Sequence, residues 1–340
     1  MLWQDIPTDL YLSRALCLSE EEHVRLEAAL TVLPPVIIDA HTHIARTDDL
    51  EILSKELLHH IVSTFPVYTI EMAEVTKQFL WPNKILRSAR MAHAVSGYQH
   101  SAINDYLLAN SPSSDLVIGF GLPTKTEEAC RLILSGQLAA LKMYFRSVEP
   151  PLRTVSEVFP DVILQTAEIA GVPIVLHLPT SLPDGLNEVL ETATRYPRLV
   201  IILAHLGGDG GQLFSAPALA AFRALVEVQT VFMDTAFVYD RDLVHAAVDV
   251  LGPERILFGT DEPLSLIRGT AYAHPEHGPR LYAPEYHWAH DDGAPKDVRD
   301  RTPILLHVQM IEAIIDSVDR DLMSLQAIFH DNAERLFVRT

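Results

Sequence analysis

Six short apolar runs in this chain carry or end on a polar residue, and most of those residues can bind a metal. Val36-Ile37-Ile38-Asp39-Ala40 leads into His41-Thr42-His43, Leu138 to Phe145 carries Lys142, and Pro173-Ile174-Val175-Leu176 stops at His177. Leu199 to Ala204 ends at His205, Thr230 to Met233 at Asp234, and Arg255 to Thr260 at Asp261. His41 and His43 lie one strand pleat apart, so their imidazoles point the same way. If the runs end at one rim, His41, His43, His177 and His205 bring neutral nitrogens there and Asp261 brings a carboxylate. Such a donor set suits Zn2+, with Mn2+ or Fe2+ as alternatives. A single histidine of this kind is as readily a core imidazole satisfied by backbone, but five metal-competent residues at one rim argue for a site.

The elements that must position these residues follow from the same runs. Continuous β-branched stretches are strands buried on both faces, the habit of a parallel sheet covered by helices. Helical signals lie between them. Thr124-Lys125-Thr126-Glu127 reads as a capping box, and Pro160 to Ala170 runs into Gly171. From Lys142 the steps to His177, His205, Asp234 and Asp261 are 35, 28, 29 and 27 residues, each close to one strand-helix unit. The 101 residues from His41 to Lys142 hold three more units. That count places His41 and His43 on strand 1, Lys142 on strand 4 and Asp261 on strand 8 of an α/β, (β/α)8 TIM barrel.

Residues 1–35 are expected to form an N-terminal helical extension, and residues 36–340 a single catalytic domain. Residues 46–114 read as a long helical insertion after strand 1, with strand 2 near Pro66 to Ile70. Residues 262–303 read as a long loop after strand 8 that lies over the mouth as a lid. Leu322 to Phe337 closes the chain as helix.

Lys142 needs its own account, because a lysine inside a barrel strand must be paired, neutralised or converted: it is converted to a carbamate, stays an ammonium that binds substrate, or faces the helices instead. Ala140, Lys142 and Tyr144 share one face by alternation. Arg46, Arg146 and Arg268 follow strands 1, 4 and 8, where a guanidinium could hold a substrate carboxylate, with Tyr144 beside them. Asp234 either supports the ligands from behind or caps the next helix, the first being favoured. His59, His60, His93 and His100 are expected at the surface. The imidazoles of His274, His277, His287 and His290 are expected to face solvent or substrate rather than a further metal.

The motifs Ile38-Asp39-Ala40-His41-Thr42-His43, Leu203-Ala204-His205-Leu206-Gly207-Gly208 and Leu257-Phe258-Gly259-Thr260-Asp261-Glu262-Pro263 resemble the amidohydrolase superfamily. Asn332-Ala333-Glu334-Arg335-Leu336-Phe337 and Ala102-Ile103-Asn104-Asp105 are similar to its amidohydrolase-2 branch, which includes aminocarboxymuconate-semialdehyde decarboxylase. The resemblance spans about residues 36–338. It implies a metal on His41, His43, His177 and Asp261, with Asp261 also shuttling a proton. His205 is then a second-metal ligand or the group that polarises substrate. In dinuclear members the strand 4 lysine is carboxylated and bridges two metals, which would make Lys142 a ligand. Branch decarboxylases bind one metal without such a bridge. The resemblance therefore implies hydrolysis of a small carboxylated lactone, ester or amide, with non-oxidative decarboxylation as the alternative and a catalytically inactive ligand-binding barrel as a third reading. It is also compatible with a homodimer.

Composition narrows the partners. The chain has 340 residues, 48% hydrophobic and 21% charged, which fits a globular enzyme and excludes a disordered one. A net charge of −19 repels nucleic acid and anionic membrane surfaces, leaving a small-molecule substrate. Cys17 and Cys130 cannot build a disulfide framework, the N-terminus carries no basic targeting pattern, and no apolar run is long enough to span a bilayer. A cytoplasmic location is the resulting expectation. No Gly-x-Ser-x-Gly elbow is present for serine hydrolysis.

Overall fold

A computed structural model of the chain describes residues 8–51, 67–93, 97–148, 150–208, 214–274, 278–284 and 293–338. Eight parallel strands stand in sequence order: β1 (Val36–Ile44), β2 (Ile85–Ala92), β3 (Leu116–Phe120), β4 (Ala140–Met143), β5 (Ile174–Leu176), β6 (Ile201–Leu203), β7 (Val231–Asp234) and β8 (Ile256–Leu257). The ring closes where Ala40 N–H donates to Phe258 O and Asp261 N–H to His41 O, both at 2.8 Å. This is the expected (β/α)8 barrel.

Alternation along the strands explains the continuous apolar runs. Ile38, Ile118, Ala140, Val175, Ile202, Phe232 and Leu257 pack together inside the barrel. Ile37, Leu141, Met143, Ile174, Leu176, Ile201 and Leu203 belong to the larger core shared with the helices. Both faces are dry, so neither can carry polar residues without a partner. In β4 the alternation turns Leu141 and Met143 outward and Lys142 inward, where it is 1% exposed. An outward-facing Lys142 is thereby excluded.

Several expectations are corrected. Strand 2 is Ile85–Ala92 and not the stretch near Pro66 to Ile70, where Tyr68 only bridges Ala45 before the Ile70–Leu80 helix begins. The strand was hidden by its arginines. Arg90 is buried because Asp115 and Glu74 neutralise it, a pairing that no apolar pattern reveals. The described part of residues 46–114 is accordingly not all insertion: it holds the Ile70–Leu80 helix, β2 and the His100–Asn110 helix, regular units of the barrel. The capping box at Thr124 to Glu127 does not form. The Thr126–Leu134 helix begins one residue later, on Lys125, without a side-chain cap. The helix over Asp161–Ala170 does end on Gly171, whose φ of 63° suits glycine.

The segment after β8 is also more regular than expected. Arg268–His274 (β9) pairs antiparallel with Gly278–Tyr282 (β10) and with Ile304–Leu305 (β11). Small residues and glycine in Arg268-Gly269-Thr270-Ala271 leave little hydrophobic alternation to read. At the other end of the chain, Thr8–Leu16 and Glu20–Val32 are helices, the second opened by a Ser19–Glu22 capping box. Arg25 Nε donates to Glu312 Oε1 at 2.9 Å, docking the second helix on the Leu306–Ser317 helix. The stretch from Leu322 to Phe337 is helical throughout, with a π turn over Ala327–Asp331. Among the described residues no helix is long and apolar enough to cross a membrane.

Candidate metal centre

His41 and His43 reach the barrel interior through a bulge. Between β1 and β2, Asp39 faces Ser88 and Thr42 faces Arg90, so β1 carries one residue more than its partner. Ile38 and Ala40 both pack in the interior. Strict alternation from them would send His41 and His43 outward, and the extra residue reverses this. The fully buried Asp39 carboxylate pins the bulge to the end of β8. Its Oδ1 accepts from His41 N–H at 3.1 Å and Thr260 N–H at 3.0 Å, and its Oδ2 accepts from Thr260 Oγ1 at 2.6 Å. Asp261 then turns into the site with a left-handed φ of 61°. A Cβ at Gly259 would lie 2.9 Å from His41 Cβ, so any other residue there must push one of the two aside.

The ring nitrogens are assigned by their partners. His43 Nδ1 lies 2.9 Å from Ala92 O, and His41 Nδ1 2.8 Å from Asp234 Oδ2. Both partners only accept, so both Nδ1 atoms carry the proton and both Nε2 atoms present lone pairs. Those lone pairs converge: the two Nε2 atoms are 3.2 Å apart, and Asp261 Oδ1 lies 3.1 Å from His43 Nε2 and 3.6 Å from His41 Nε2. Three mutually facing lone pairs in a dry pocket repel one another unless a cation sits among them. His41, His43 and Asp261 form the metal-competent group found among the described residues, with donor atoms all within 4.8 Å of one another. Burial pushes the His41 imidazole down to about 4, despite the Asp234 carboxylate, so it is neutral and able to ligate. Burial would raise the Asp261 carboxyl, but the neighbouring His43, His205 and His41 side chains outweigh it and hold it below the ordinary range.

Asp234 braces two histidines at once. Besides His41, its Oδ1 accepts the backbone N–H of His205 at 2.9 Å and of Ala236 at 3.1 Å. His205 has φ 56°, and its Nδ1 is 2.7 Å from Ala236 O, so Nε2 is again the nitrogen left for the site. The His205 ring stands 5.1 Å from His41 and 4.6 Å from His177. His177 lies outside the three-donor group, and its Nε2 is buried without a hydrogen-bond partner. Lys142 Nζ is likewise buried without one. Burial lowers the Lys142 amine to about 8, and the charges that act on it are Asp234 and Asp261.

The expected substrate residues divide. The Tyr144 ring lies tilted against His177 with ring centroids 4.8 Å apart, and Arg146 is exposed beside them over the Phe145 ring. Arg46 instead grips Asp49 through Nε and Nη2, both at 2.6 Å, and lies over the Tyr106 ring. Arg268 is committed to Glu22 and to the carbonyls of Arg14 and Cys17, holding the N-terminal helices against β9. Neither has its guanidinium free for a substrate. His93 and His100, expected at the surface, are buried: the His93 ring is 5.7 Å from His43, and His100 stacks on Phe120. His93 directly follows β2, so misplacing that strand concealed it. His59, His60, His277, His287 and His290 lie outside the described residues.

The chain matches the sequence profile described as amidohydrolase over residues 38–339. No curated protein matches it. Among solved structures it is similar to a zinc-bound amidohydrolase from Burkholderia multivorans, at 14% identity over 89% of this chain and 99% of that one, with a TM-score of 0.59. It is similar to 5-carboxyvanillate decarboxylase from Novosphingobium aromaticivorans with manganese, at 13% identity over 89% and 96% of the two chains and a TM-score of 0.55. It is also similar to a probable 2-pyrone-4,6-dicarboxylic acid hydrolase from Acinetobacter baumannii, at 13% identity over 88% and 98%, with a TM-score of 0.52. Identities this low speak to the barrel alone, whereas the profile spans the strands that bear His41, Lys142, His177, His205 and Asp261, and the chain belongs to the amidohydrolase family.

Proposed function

We propose that the protein is a metal-dependent hydrolase of a small carboxylated lactone, ester or amide, with a Zn2+, Mn2+ or Fe2+ ion held by His41, His43, His177 and Asp261 and a second ion, where present, bridged by a carboxylated Lys142 and held by His205. A divalent ion there supplies Lewis acidity, polarising a carbonyl oxygen and lowering the pKa of a water to about 7. Asp261, ionised and next to both histidines, accepts a proton from the attacking water and returns it to the leaving group. His205, with Nε2 directed at the site, holds the substrate oxygen or the second ion. Arg146 and Tyr144, beside His177, are placed to receive a substrate carboxylate. Both named relatives above, the decarboxylase and the hydrolase, carry a carboxylated molecule in their names.

The observation that carries hydrolysis over decarboxylation is Lys142: an amine buried inside the barrel, without a hydrogen-bond partner and facing the carboxylates of the site. Carbon dioxide adds to a neutral amine to give a carbamate and a proton, turning an unsatisfied group into an anionic one that can bridge two ions. Decarboxylation, the second reading, is favoured by the compactness of the His41, His43 and Asp261 group, which is sized for one ion. The test counts metals by elemental analysis and assays carboxylated lactones, esters, amides and aromatic acids for ring opening or acid release against carbon dioxide release. Two ions and hydrolysis are expected. One ion with carbon dioxide release would replace this reading with the second, and no metal with full activity in chelator would end both.

A further inference from the structure

Glu262, the residue after Asp261, belongs to a second polar cluster that the proposed chemistry does not use. Glu262, 5% exposed, accepts the Tyr68 hydroxyl on Oε2 at 2.9 Å, while its Oε1 has no hydrogen-bond partner. His307 Nδ1 is 3.6 Å from that oxygen, too far for a hydrogen bond. Both nitrogens of His307 are without a partner, although the residue is wholly buried. The Trp81 ring meets His307 edge-on at 5.3 Å, and its indole N–H is also buried and unpaired. Four such atoms on three touching residues are too many to leave unsatisfied in a native core, where buried polar groups find protein or ordered water.

Their chemistry indicates what completes them. Trp81 Nε1 only donates, the Glu262 carboxylate accepts, and a neutral imidazole does one of each. A cation would meet a single carboxylate oxygen in a cluster that also contains an obligate donor, whereas water both donates and accepts. The cluster also has a mechanical consequence. Glu262 is bonded to Asp261 in sequence, and its carbonyl accepts the backbone N–H of His43 at 2.7 Å. Fixing the Glu262 side chain therefore fixes the turn that sets both Asp261 and His43.

We propose that Glu262 is a positioning residue for Asp261 and His43, held by internal water that it shares with His307 and Trp81. This rests on the reading of His41, His43 and Asp261 as metal ligands. Groups that orient ligands from behind typically change metal affinity by 10- to 100-fold when removed.

The test uses Co2+ as the probe, with its visible absorption reporting donor geometry and a competing chelator reporting affinity. His307→Phe keeps a ring of similar shape and loses both nitrogens. His307→Gln loses the ring and keeps a donor and an acceptor. Water-mediated positioning predicts that Phe weakens Co2+ binding about tenfold and alters the spectrum, while Gln stays within about threefold of wild type. A role in packing alone predicts the reverse order, and that outcome, or wild-type affinity and spectrum in a folded His307→Phe, overturns the proposal. Should His307→Phe not fold, Trp81→Phe removes only the N–H and is read in the same way: weakened binding supports the proposal, unchanged binding overturns it. Wild-type protein that binds no Co2+ would instead overturn the metal reading on which this one stands.

Discussion

On the β8–β1 side of the barrel mouth both histidine donors are held from behind. His41 is held by Asp234, His43 by the Ala92 carbonyl, and the strand ends by Asp39 and Thr260. On the β4–β5 side, Lys142 Nζ and His177 Nε2 are buried without hydrogen-bond partners. The two histidines of the first side are braced by protein groups, and beside them the Glu262 cluster has atoms that the protein does not satisfy. The second side has polar atoms whose partners the protein does not provide, and in the proposed reading metal, carbon dioxide or substrate supplies them. Half of the site is thus preorganised by the fold and half is completed by what binds, so the two halves should respond differently to mutation.

The largest effects belong to the braced side. His41→Ala removes a nitrogen from the three-donor group and leaves the buried Asp234 Oδ2 without its partner. Its metal content should fall to near zero and turnover by about a thousandfold or more, since several kcal/mol of Lewis-acid stabilisation disappear. Chelation of the wild type should do the same, reversibly, by elemental analysis and assay. Asp261→Asn comes next: the amide fills the same space but cannot take a proton, so turnover should drop about a hundredfold in a folded protein. Metal content measured alongside separates loss of the shuttle from loss of the ligand. Near wild-type turnover in that variant would refute the shuttle role.

The two sides also differed in how far the sequence revealed them. His41, His43, His177, His205 and Asp261 were visible because each ends or follows an apolar run, and spacing near 30 residues counted the barrel around them. The brace was only partly visible. Asp234 could be read as support because it closes a strand in the same way as the ligands. Asp39 and Glu262 stand inside the same motifs, yet their roles depend on contacts with residues about 200 positions away, which no local pattern encodes. The bulge in β1 is a register property of a strand pair, and β2 itself was obscured by a buried, ion-paired Arg90. Arg46 and Arg268 show the converse error, because position after a strand says nothing of which carboxylate a guanidinium has already taken.

Lys142 tests the other half. If it is the carbamate, Lys142→Ala should hold at most one ion and lose about tenfold or more in hydrolysis, while the His41, His43 and Asp261 group keeps its own ion. Bicarbonate should promote binding of the second ion in wild type and not in the variant, and a short carboxylate added in trans should restore part of it. Lys142→Arg should not, because a guanidinium stays charged and repels a second cation. Wild-type protein with one ion and an unmodified amine would show instead that the substrate itself satisfies Lys142, and would put decarboxylation first.

The smallest effect compares two glycines with equally little room. A Cβ at Gly259 would meet His41 Cβ at 2.9 Å and Ala236 Cβ at 3.5 Å, atoms fixed to backbone on the braced side. One at Gly119 in β3, next to β4, would meet Leu132 Cδ2 and Leu138 Cδ1 at 2.7 Å, the ends of flexible side chains. Both alanines overpack, and each should cost about 1–3 kcal/mol in stability. Only one of them moves a donor. Gly259→Ala must displace His41, whose ring is tied to Asp234, so relief has to come from backbone and the Nε2 lone pair leaves its aim. Metal affinity should weaken about tenfold, as it does when a ligand's orientation is disturbed rather than the ligand removed. In Gly119→Ala the leucines change rotamer within the helix layer and affinity should stay within about twofold of wild type. Thermal melts with and without Zn2+ separate the two. A shared loss of stability with divergent metal affinity is expected, and equal affinities would mean that His41 is less rigidly held than its contacts with Asp234 and Asp39 imply.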